Sequence, residues 1–219
     1  MPKKIDLTAQ RHMITDAAIG VINRTGLDGA RLRDVARAAN VTTGAVTHYF
    51  DGKDAVLEAT LEEVVRRTLK RMTAATGPGA TESPERFIQS VCGYLPLDAE
   101  SRGEWRVWLA FWGRAISDER LGRVHQGYYR GITHRLITPL RALAPEGRKP
   151  SRKRALACAD GLIAALDGVG TRATLEPDLW PPDRQKETLT GLLLPLLTAF
   201  TNGTDTPPHD QTRQKDDAS

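Results

Sequence analysis

The chain has 219 residues, of which 40% are hydrophobic and 26% are charged. No apolar run approaches the ~18 residues that a membrane span requires, so the composition excludes an integral membrane protein. Residues 1–4 are not followed by the apolar segment of a secretory signal, which predicts a soluble protein of the cytoplasm. The formal net charge of +4 permits an acidic partner such as nucleic acid but does not demand one.

Cysteine and histidine usage predicts no metal site, and no other bound cofactor is expected from the sequence motifs. Cys92 and Cys158 lie far apart in apolar segments, which favours reduced core residues over a disulfide. The five histidines lack the spacing of a metal site.

The spacing of apolar residues predicts an all-helical fold, because they recur every three or four positions from Thr8 to about Phe200. Asp6 or Thr8 can cap the first helix, and Thr25-Gly26 can end it. Gly77-Pro78-Gly79 separates the fourth and fifth helices. The predicted helices cover approximately residues 8–25, 32–39, 43–50, 53–75, 84–97, 102–116, 118–143, 151–175 and 182 onward. Residues 202–219 are polar and are expected to be disordered.

Residues 31–50 have the spacing that a helix-turn-helix requires. Ala36 is small where the two helices come into contact, and Asn40, four residues later, tolerates the left-handed conformation of a tight turn. Three valines are expected to fill the inside of this corner: Val35, Val41 and Val46.

The second short helix is expected to present an outward face of small or hydrogen-bonding residues: Thr42, Thr43, Gly44, Ala45, Thr47 and His48. Such side chains suit the base edges of a DNA major groove, and a helix N-terminus attracts phosphate. Arg33 and Lys53 flank this face with positive charge. The alternative is a helical hairpin that only packs within a bundle.

The segment 41–57 resembles the signature of the TetR family of bacterial transcriptional regulators, in which it also lies near the N-terminus behind one helix. This segment is Val-Thr-Thr-Gly-Ala-Val-Thr-His-Tyr-Phe-Asp-Gly-Lys-Asp-Ala-Val-Leu. The resemblance implies a homodimer whose second and third helices bind a double-stranded DNA operator. It also implies a C-terminal domain that binds a small-molecule effector, which releases the operator.

The resemblance assigns DNA contacts to Arg33, Thr42, Thr43, Gly44, Ala45, Thr47, His48, Tyr49 and Lys53. Two positions depart from the family pattern. Arg31 stands where the family usually caps the second helix with serine or threonine, which is expected to weaken the start of that helix by about 1 kcal/mol. Asn40 replaces the usual glycine and is compatible with the turn.

An aromatic cluster lies in the C-terminal part of the chain, at Trp105, Trp108, Phe111 and Trp112. The spacing places the three tryptophans on one helical face, and indoles bind flat or cationic molecules through stacking and cation–π contacts. Core packing is the alternative for each tryptophan. Three carboxylates are candidates to meet a cation, although each also fits a solvated or helix-end position: Glu104, Asp160 and Asp167.

The same region resembles the choline-responsive BetI subgroup of the family. The matching residues are Trp108-Leu109-Ala110-Phe111-Trp112, then Asp118-Glu119-Arg120-Leu121 and Asp167-Gly168. Gly170 lies where that subgroup tends to have tryptophan.

The last two helices are expected to form the dimer surface. The first of them mixes small and large residues: Ala155, Ala159, Leu162, Ile163, Leu166, Val169 and Ala173. The second carries a leucine-rich face: Leu189, Leu192, Leu193, Leu196 and Leu197. Pro195 is expected to kink or shorten this helix. The alternative is that both faces close the core of the monomer.

These observations predict an N-terminal three-helix DNA-binding domain (1–52), a C-terminal helical domain for ligand binding and dimerisation (53–201), and a disordered tail (202–219). The predicted function is that of a ligand-responsive repressor. A regulator controlled by a protein partner, or one without an effector, is the alternative. A helical small-molecule enzyme is disfavoured, because the sequence shows no nucleophile, metal or acid–base constellation.

Overall fold

The computed structural model describes residues 7–74 and 79–203, in which all extended regular elements are helices, as predicted. They are α1 (Leu7–Gly29), α2 (Leu32–Ala38), α3 (Thr43–Tyr49), α4 (Gly52–Ala74), α5 (Pro84–Val91), α6 (Ala99–Ala115), α7 (Glu119–Ala142), α8 (Arg152–Leu175) and α9 (Pro182–Asn202). A 3-10 turn, Cys92–Tyr94, follows α5. Within the described residues, no helix combines the length and apolarity needed to cross a bilayer.

Helix α1 is interrupted where the sequence predicts its end. Gly26 has a φ of 70° and a ψ of 172°, which breaks the helical backbone before a last turn that reaches Gly29. A positive φ costs glycine little because it has no Cβ. The possible cap at Asp6 lies outside the described residues.

Two apolar clusters make up the core, and α4 and α6 contribute to both. The first joins α1, α2, α3 and the start of α4, and it includes Val107 from α6. The second joins α4 to the later helices, and it includes the neighbouring residue Trp108. Helix α6 therefore packs on the N-terminal helices with one face and on the C-terminal helices with another.

Helix α5 is shorter than predicted, because the chain tightens into a 3-10 turn after Val91. A Cβ on Gly93 would lie 2.9 Å from the backbone nitrogen of Met72, so this turn rests directly on the backbone of α4. Arg71 donates from Nε to the Gly93 carbonyl at 3.3 Å. Close packing on α4 therefore ends α5 several residues before Pro96.

Helix α6 begins three residues earlier than predicted, at a capping box that the sequence analysis missed. The Asp98 carboxylate accepts from the Ser101 amide at 2.7 Å, and Ser101 Oγ accepts from the Asp98 amide at 3.1 Å. The two bonds satisfy amides that would otherwise lack partners at the helix start.

Helices α7 and α8 begin next to residues 118 and 151, where the sequence predicts their starts: Asp118 and Ser151 cap them by accepting backbone N–H bonds. The sequence predicts that Pro195 kinks or shortens α9. The proline does not shorten the helix, which continues to Asn202 and ends at Gly203, whose φ is 76°. Residues 204–219 of the predicted disordered tail lie outside the described residues.

The leucine-rich face of α9 is packed inside the single chain. Leu189, Leu193 and Leu197 have no exposed area, and the predicted α8 face is likewise buried in the same cluster. The prediction that these residues form the dimer surface is therefore wrong, and the alternative of a monomer core is confirmed for them. Leu192, by contrast, is 53% exposed. Cys92 and Cys158 are both buried and are not joined in a disulfide, as predicted.

Candidate functional site

Helices α2 and α3 form the predicted helix-turn-helix. Asn40 has a φ of 54°, and Ala36 is buried at the contact between the helices. Val35 and Val46 fill the inside of the corner, whereas Val41 is only half-buried. The sequence therefore identifies the turn correctly from two residues, one small and one tolerant of a left-handed backbone.

The N-terminus of α3 carries a threonine cap. Thr42 Oγ1 accepts from the Ala45 amide at 3.0 Å. The Thr47 hydroxyl donates to the carbonyl of Gly44 at 3.1 Å, so it is bonded to its own helix in this state. Thr43, Gly44, Thr47 and His48 are exposed, as expected for an outward face, whereas Ala45 is half-buried.

Basic residues border this face, although some already have partners in the protein. Lys53 donates from Nζ to the Asp28 carbonyl at 2.9 Å. The Arg33 side chain is 64% exposed and lies 3.9 Å from the Asp34 carboxylate. At the start of α2, Arg31 makes no side-chain capping bond, in line with its departure from the family pattern.

Arg11 of α1 is a basic residue that the sequence analysis missed. It donates from Nη1 to the Tyr49 carbonyl at 2.6 Å, and its guanidinium lies 4.4 Å from the centroid of the Phe50 ring. It therefore ties the end of α3 to α1. Because Arg11 and Tyr49 are 38 residues apart, local sequence pattern gives no signal for this contact.

Trp105 is part of the core and packs against the backbone of α8. Its indole N–H donates to the Tyr94 carbonyl at 2.7 Å, and the two rings meet edge-on. A Cβ on Gly170 would lie 2.1 Å from the indole ring, so no side chain fits there while Trp105 keeps this place. The Gly170 departure from the subgroup pattern thus has a steric reason in this chain.

Three side chains form a group that we call the aromatic cage: Trp108, Trp112 and His125. The Tyr129 ring contacts all three, with centroid distances of 5.9 Å to Trp108, 6.1 Å to Trp112 and 4.5 Å to His125. Burial lowers the pKa of His125, which favours its neutral form. His125 and Tyr129 are not among the residues predicted from the sequence, although their spacing of four on α7 was an available signal.

Asp167 lies at the tip of the Tyr129 side chain. Its carboxylate accepts from the hydroxyl of Tyr129 at 2.8 Å and from that of Tyr94 at 2.9 Å. Burial raises the pKa of Asp167 from 3.8 to about 6, and the two tyrosine hydrogen bonds oppose this rise. Burial and the neighbouring carboxylate also raise the pKa of both tyrosines, so they remain hydrogen-bond donors.

Glu104 is engaged in a network of arginines. Its side chain is 1% exposed and lies 2.6 Å from Arg71 and 3.7 Å from Arg67. Burial raises the pKa of Glu104, while both arginines favour the ionised form. Arg67 also pairs with Glu63 at 2.8 Å and with Asp16 of α1. The charge of Glu104 is therefore balanced by the protein itself.

Asp160 is exposed and separate from the tryptophans. It accepts from the Thr133 hydroxyl at 3.4 Å and lines an open groove between α7 and α8. Asp167 and Tyr129 also line this groove. Of the three predicted carboxylates, Asp167 is thus the one that adjoins the aromatic cage.

A narrow apolar crevice lies on the other side of Trp108, between α4 and α6. Its volume is about 420 Å³ when the open mouth is counted, but the space that water-sized molecules can occupy is only about 20 Å³. Trp105, Trp108 and Glu104 line it, together with apolar residues of α4 and with Ile132. Trp112 and Phe111 do not line this crevice; Phe111 is buried in the core and Trp112 is half-buried. The predicted tryptophan stripe is therefore divided between the core, the crevice and the aromatic cage.

Comparison with known protein families decides the class of the protein. Residues 14–60 match the bacterial regulatory proteins of the tetR family, and residues 84–198 match the C-terminal domain of BetI-type transcriptional repressors. The chain belongs to the TetR family. It has a BetI-type C-terminal domain and is a transcriptional regulator, not an enzyme, which removes the enzyme alternative.

Individual relatives agree with this TetR-family assignment. The HTH-type transcriptional regulator BetI of Burkholderia thailandensis is 34% identical over 80% of this chain and 87% of its own length. A transcriptional regulator from Rhodococcus sp. Rha1 has a TM-score of 0.72 at 28% identity and covers 90% of this chain and 99% of its own. The multidrug binding protein EbrR, solved with malachite green, has a TM-score of 0.60 at 25% identity, with 84% and 97% coverage.

Proposed function

We propose that the protein is a repressor that binds an inverted-repeat operator as a homodimer in the cytoplasm and is released by a lipophilic or aromatic cation. Residues 1–52 bind DNA in this proposal, and residues 53–201 bind the effector and dimerise. The observation that carries the effector class is the half-buried Asp167 carboxylate beside the aromatic cage. Control by a protein partner, or the absence of an effector, is the competing proposal.

The exposed face of α3 supports operator recognition. Its N-terminal threonines and the Thr47 hydroxyl suit base edges and phosphates, and Arg33 extends the same surface from α2. The full set of proposed contacts is Arg33, Thr42, Thr43, Gly44, Ala45, Thr47, His48, Tyr49 and Lys53. One such helix covers few base pairs, so two copies are needed for an inverted repeat.

Lys53→Ala and Arg33→Ala are expected to weaken DNA binding in different ways. If Lys53 exchanges its Asp28 carbonyl for a phosphate, its loss weakens all DNA alike and lowers the salt slope by about 1. If Arg33 contacts a base, its loss costs about 1 to 3 kcal/mol and relaxes preference at one position in each half-site. Filter binding to operator and scrambled DNA at several salt concentrations measures both, and identical behaviour of the two variants contradicts the assignment.

The exposed faces of α8 and α9 support dimerisation, because the opposite-facing apolar residues of both helices are already buried in the core of the single chain. Helix α8 presents a stripe of small residues: Ala157, Gly161, Ala164 and Gly168. A Cβ on Gly161 would lie 3.7 Å from Leu196 of α9, so the stripe continues onto α9, where Leu192 is exposed. Small residues allow two helix pairs to approach closely.

The effector proposal rests on chemistry that favours a cation. Rings attract a cation through their electron-rich faces, and an ionised carboxylate completes the site. Asp167 is without a basic partner among its hydrogen bonds, whereas Glu104 is neutralised by Arg71 and Arg67. The likeness to EbrR, a multidrug binding protein solved with malachite green, supports this dye as a probe.

Trp108→Ala and Trp112→Ala are expected to weaken binding of malachite green by about 0.5 to 2 kcal/mol each, because each removes one ring of the cage. Operator affinity is expected to persist, since neither residue lies near α3. Calorimetric titration and operator release measure the two effects. Trp112 is half-buried, so its variant serves if Trp108→Ala fails to fold. Release by the uncharged leuco form of the dye alone contradicts a cationic effector.

A further inference from the structure

The aromatic cage already has an occupant from the protein itself. The Tyr129 ring stacks on His125 and Trp108 and contacts Trp112, and its hydroxyl donates to Asp167. One side chain thus uses both features that would bind a cation, the ring faces and the carboxylate. With Tyr129 in this position, a dye-sized molecule finds no room in the cage.

We propose that the effector binds by displacing the Tyr129 ring and taking its place between the aromatic cage and Asp167. This inference rests on the proposed effector function. It adds that Tyr129 of the protein itself competes with the effector for the site. Tyr129 also lines the open groove between α7 and α8, together with Asp160 and Asp167. The groove gives a ligand access to the ring from solvent. Asp160 and Arg130 both line it, so Asp167 is the carboxylate next to the ring at the end of a route that carries charges of both signs.

Helix α7 has a residue of low helix propensity on each side of Tyr129. Gly127 and Gly131 lie two residues before and after it, and a Cβ at either would have no neighbour within 4 Å. Packing therefore does not require glycine at these positions, although glycine inside a helix is unfavourable relative to alanine. These two glycines, which packing does not require, make α7 easier to bend. Such bending would let Tyr129 leave the aromatic cage.

Displacement predicts that emptying the cage strengthens binding. Tyr129→Ala is expected to bind malachite green about tenfold more tightly if Tyr129 closes the site in about nine of ten wild-type molecules, since the apparent affinity is reduced in proportion to the open fraction. Tyr129→Phe removes only the bond to Asp167, so a smaller gain is expected. The matched control is Tyr128→Ala, since Tyr128 lies 6.4 Å from Trp108 but makes no bond to Asp167; it is expected to leave the affinity unchanged.

The stiffened variant Gly127→Ala/Gly131→Ala gives a test of opposite sign. It is expected to raise the midpoint of thermal unfolding and to weaken binding of the dye several-fold, while the cage itself stays intact.

Isothermal titration calorimetry with malachite green, after circular dichroism has verified folding, measures all of these variants. Tighter binding by Tyr129→Ala and Tyr129→Phe, with weaker binding by the stiffened variant, supports displacement. Weaker binding by Tyr129→Ala would show that Tyr129 contributes to the binding site, which overturns displacement. That result leaves the proposal of a cationic effector unaffected. If neither the wild type nor any variant binds the dye, both proposals fail. Should Tyr129→Ala not fold, equal affinity of Tyr129→Phe and wild type overturns displacement.

Discussion

Leu193→Asp is expected to unfold the chain rather than to dissociate a dimer. Leu193 has no exposed area within the single chain and lies in the cluster that joins α9 to α8 and α5. Truncating a buried leucine costs about 2 to 5 kcal/mol, and burying an unpaired carboxylate adds several more. The sum approaches the whole stability of an ordinary domain, about 5 to 15 kcal/mol. Circular dichroism is expected to show loss of helix at every protein concentration.

The adjacent Leu192 provides the matched control, because the same substitution falls on the solvent-exposed face of α9. Leu192 is 53% exposed in the single chain, so Leu192→Asp is expected to retain the helical spectrum. If α8 and α9 meet a second copy through their exposed faces, light scattering shows a monomer for this variant. A folded, monomeric Leu193→Asp protein would mean that the buried leucines form the dimer interface, and it would contradict the packing described above.

The leucines of α9 show what helical periodicity can and cannot predict. A repeat of three and four identifies a face that must leave water, and Leu189, Leu193 and Leu197 do so. Periodicity does not identify the partner of that face, because core and interface use the same residue types. The same logic explains α5, whose end depends on the approach of Gly93 to the distant backbone of α4.

The candidate effector site was predictable in its residue types but not in its electrostatics. The spacing of the tryptophans and the presence of Asp167 were visible in the sequence. The pairing of Glu104 with Arg67 and Arg71 was not, because these residues lie more than 30 positions apart and meet only through the packing of α6 on α4. Likewise, Tyr94 and Tyr129 reach Asp167 from separate elements. Local patterns therefore identify candidate groups, and tertiary packing decides which charges stay unbalanced.

Asp167 is expected to make stability depend on pH between about 4 and 6. Its pKa is raised from 3.8 to about 6 in the folded chain, so the folded state holds the proton more tightly than the unfolded state does. Stability contributed by this group is therefore present at low pH and is lost as pH rises towards 6. Because one pKa unit equals about 1.4 kcal/mol, the difference amounts to about 3 kcal/mol.

Asp167→Asn is the variant that isolates this effect, because it keeps a neutral side chain at every pH. The free energy of unfolding of the variant minus that of the wild type is expected to rise by about 2.5 kcal/mol from pH 4 to pH 7 and then to stay constant. Urea denaturation at several pH values measures this difference. A difference that stays flat from pH 4 to 7 would show that the Asp167 pKa is ordinary in the folded chain.

Binding of a cation should have the opposite pH dependence, since the ionised carboxylate attracts it. A bound cation lowers the pKa of Asp167, so binding releases a proton in the range where the free protein still holds it. Affinity for malachite green is therefore expected to fall as pH drops below about 6, by up to about tenfold per pH unit, and to be both weaker and nearly independent of pH in Asp167→Asn. Titrations from pH 5 to 8 in buffers of different ionisation enthalpy measure the affinity and the released proton together. An unchanged affinity in Asp167→Asn at pH 8 would mean that the carboxylate is not the counterion, because the wild-type group is then fully charged and its loss must be felt.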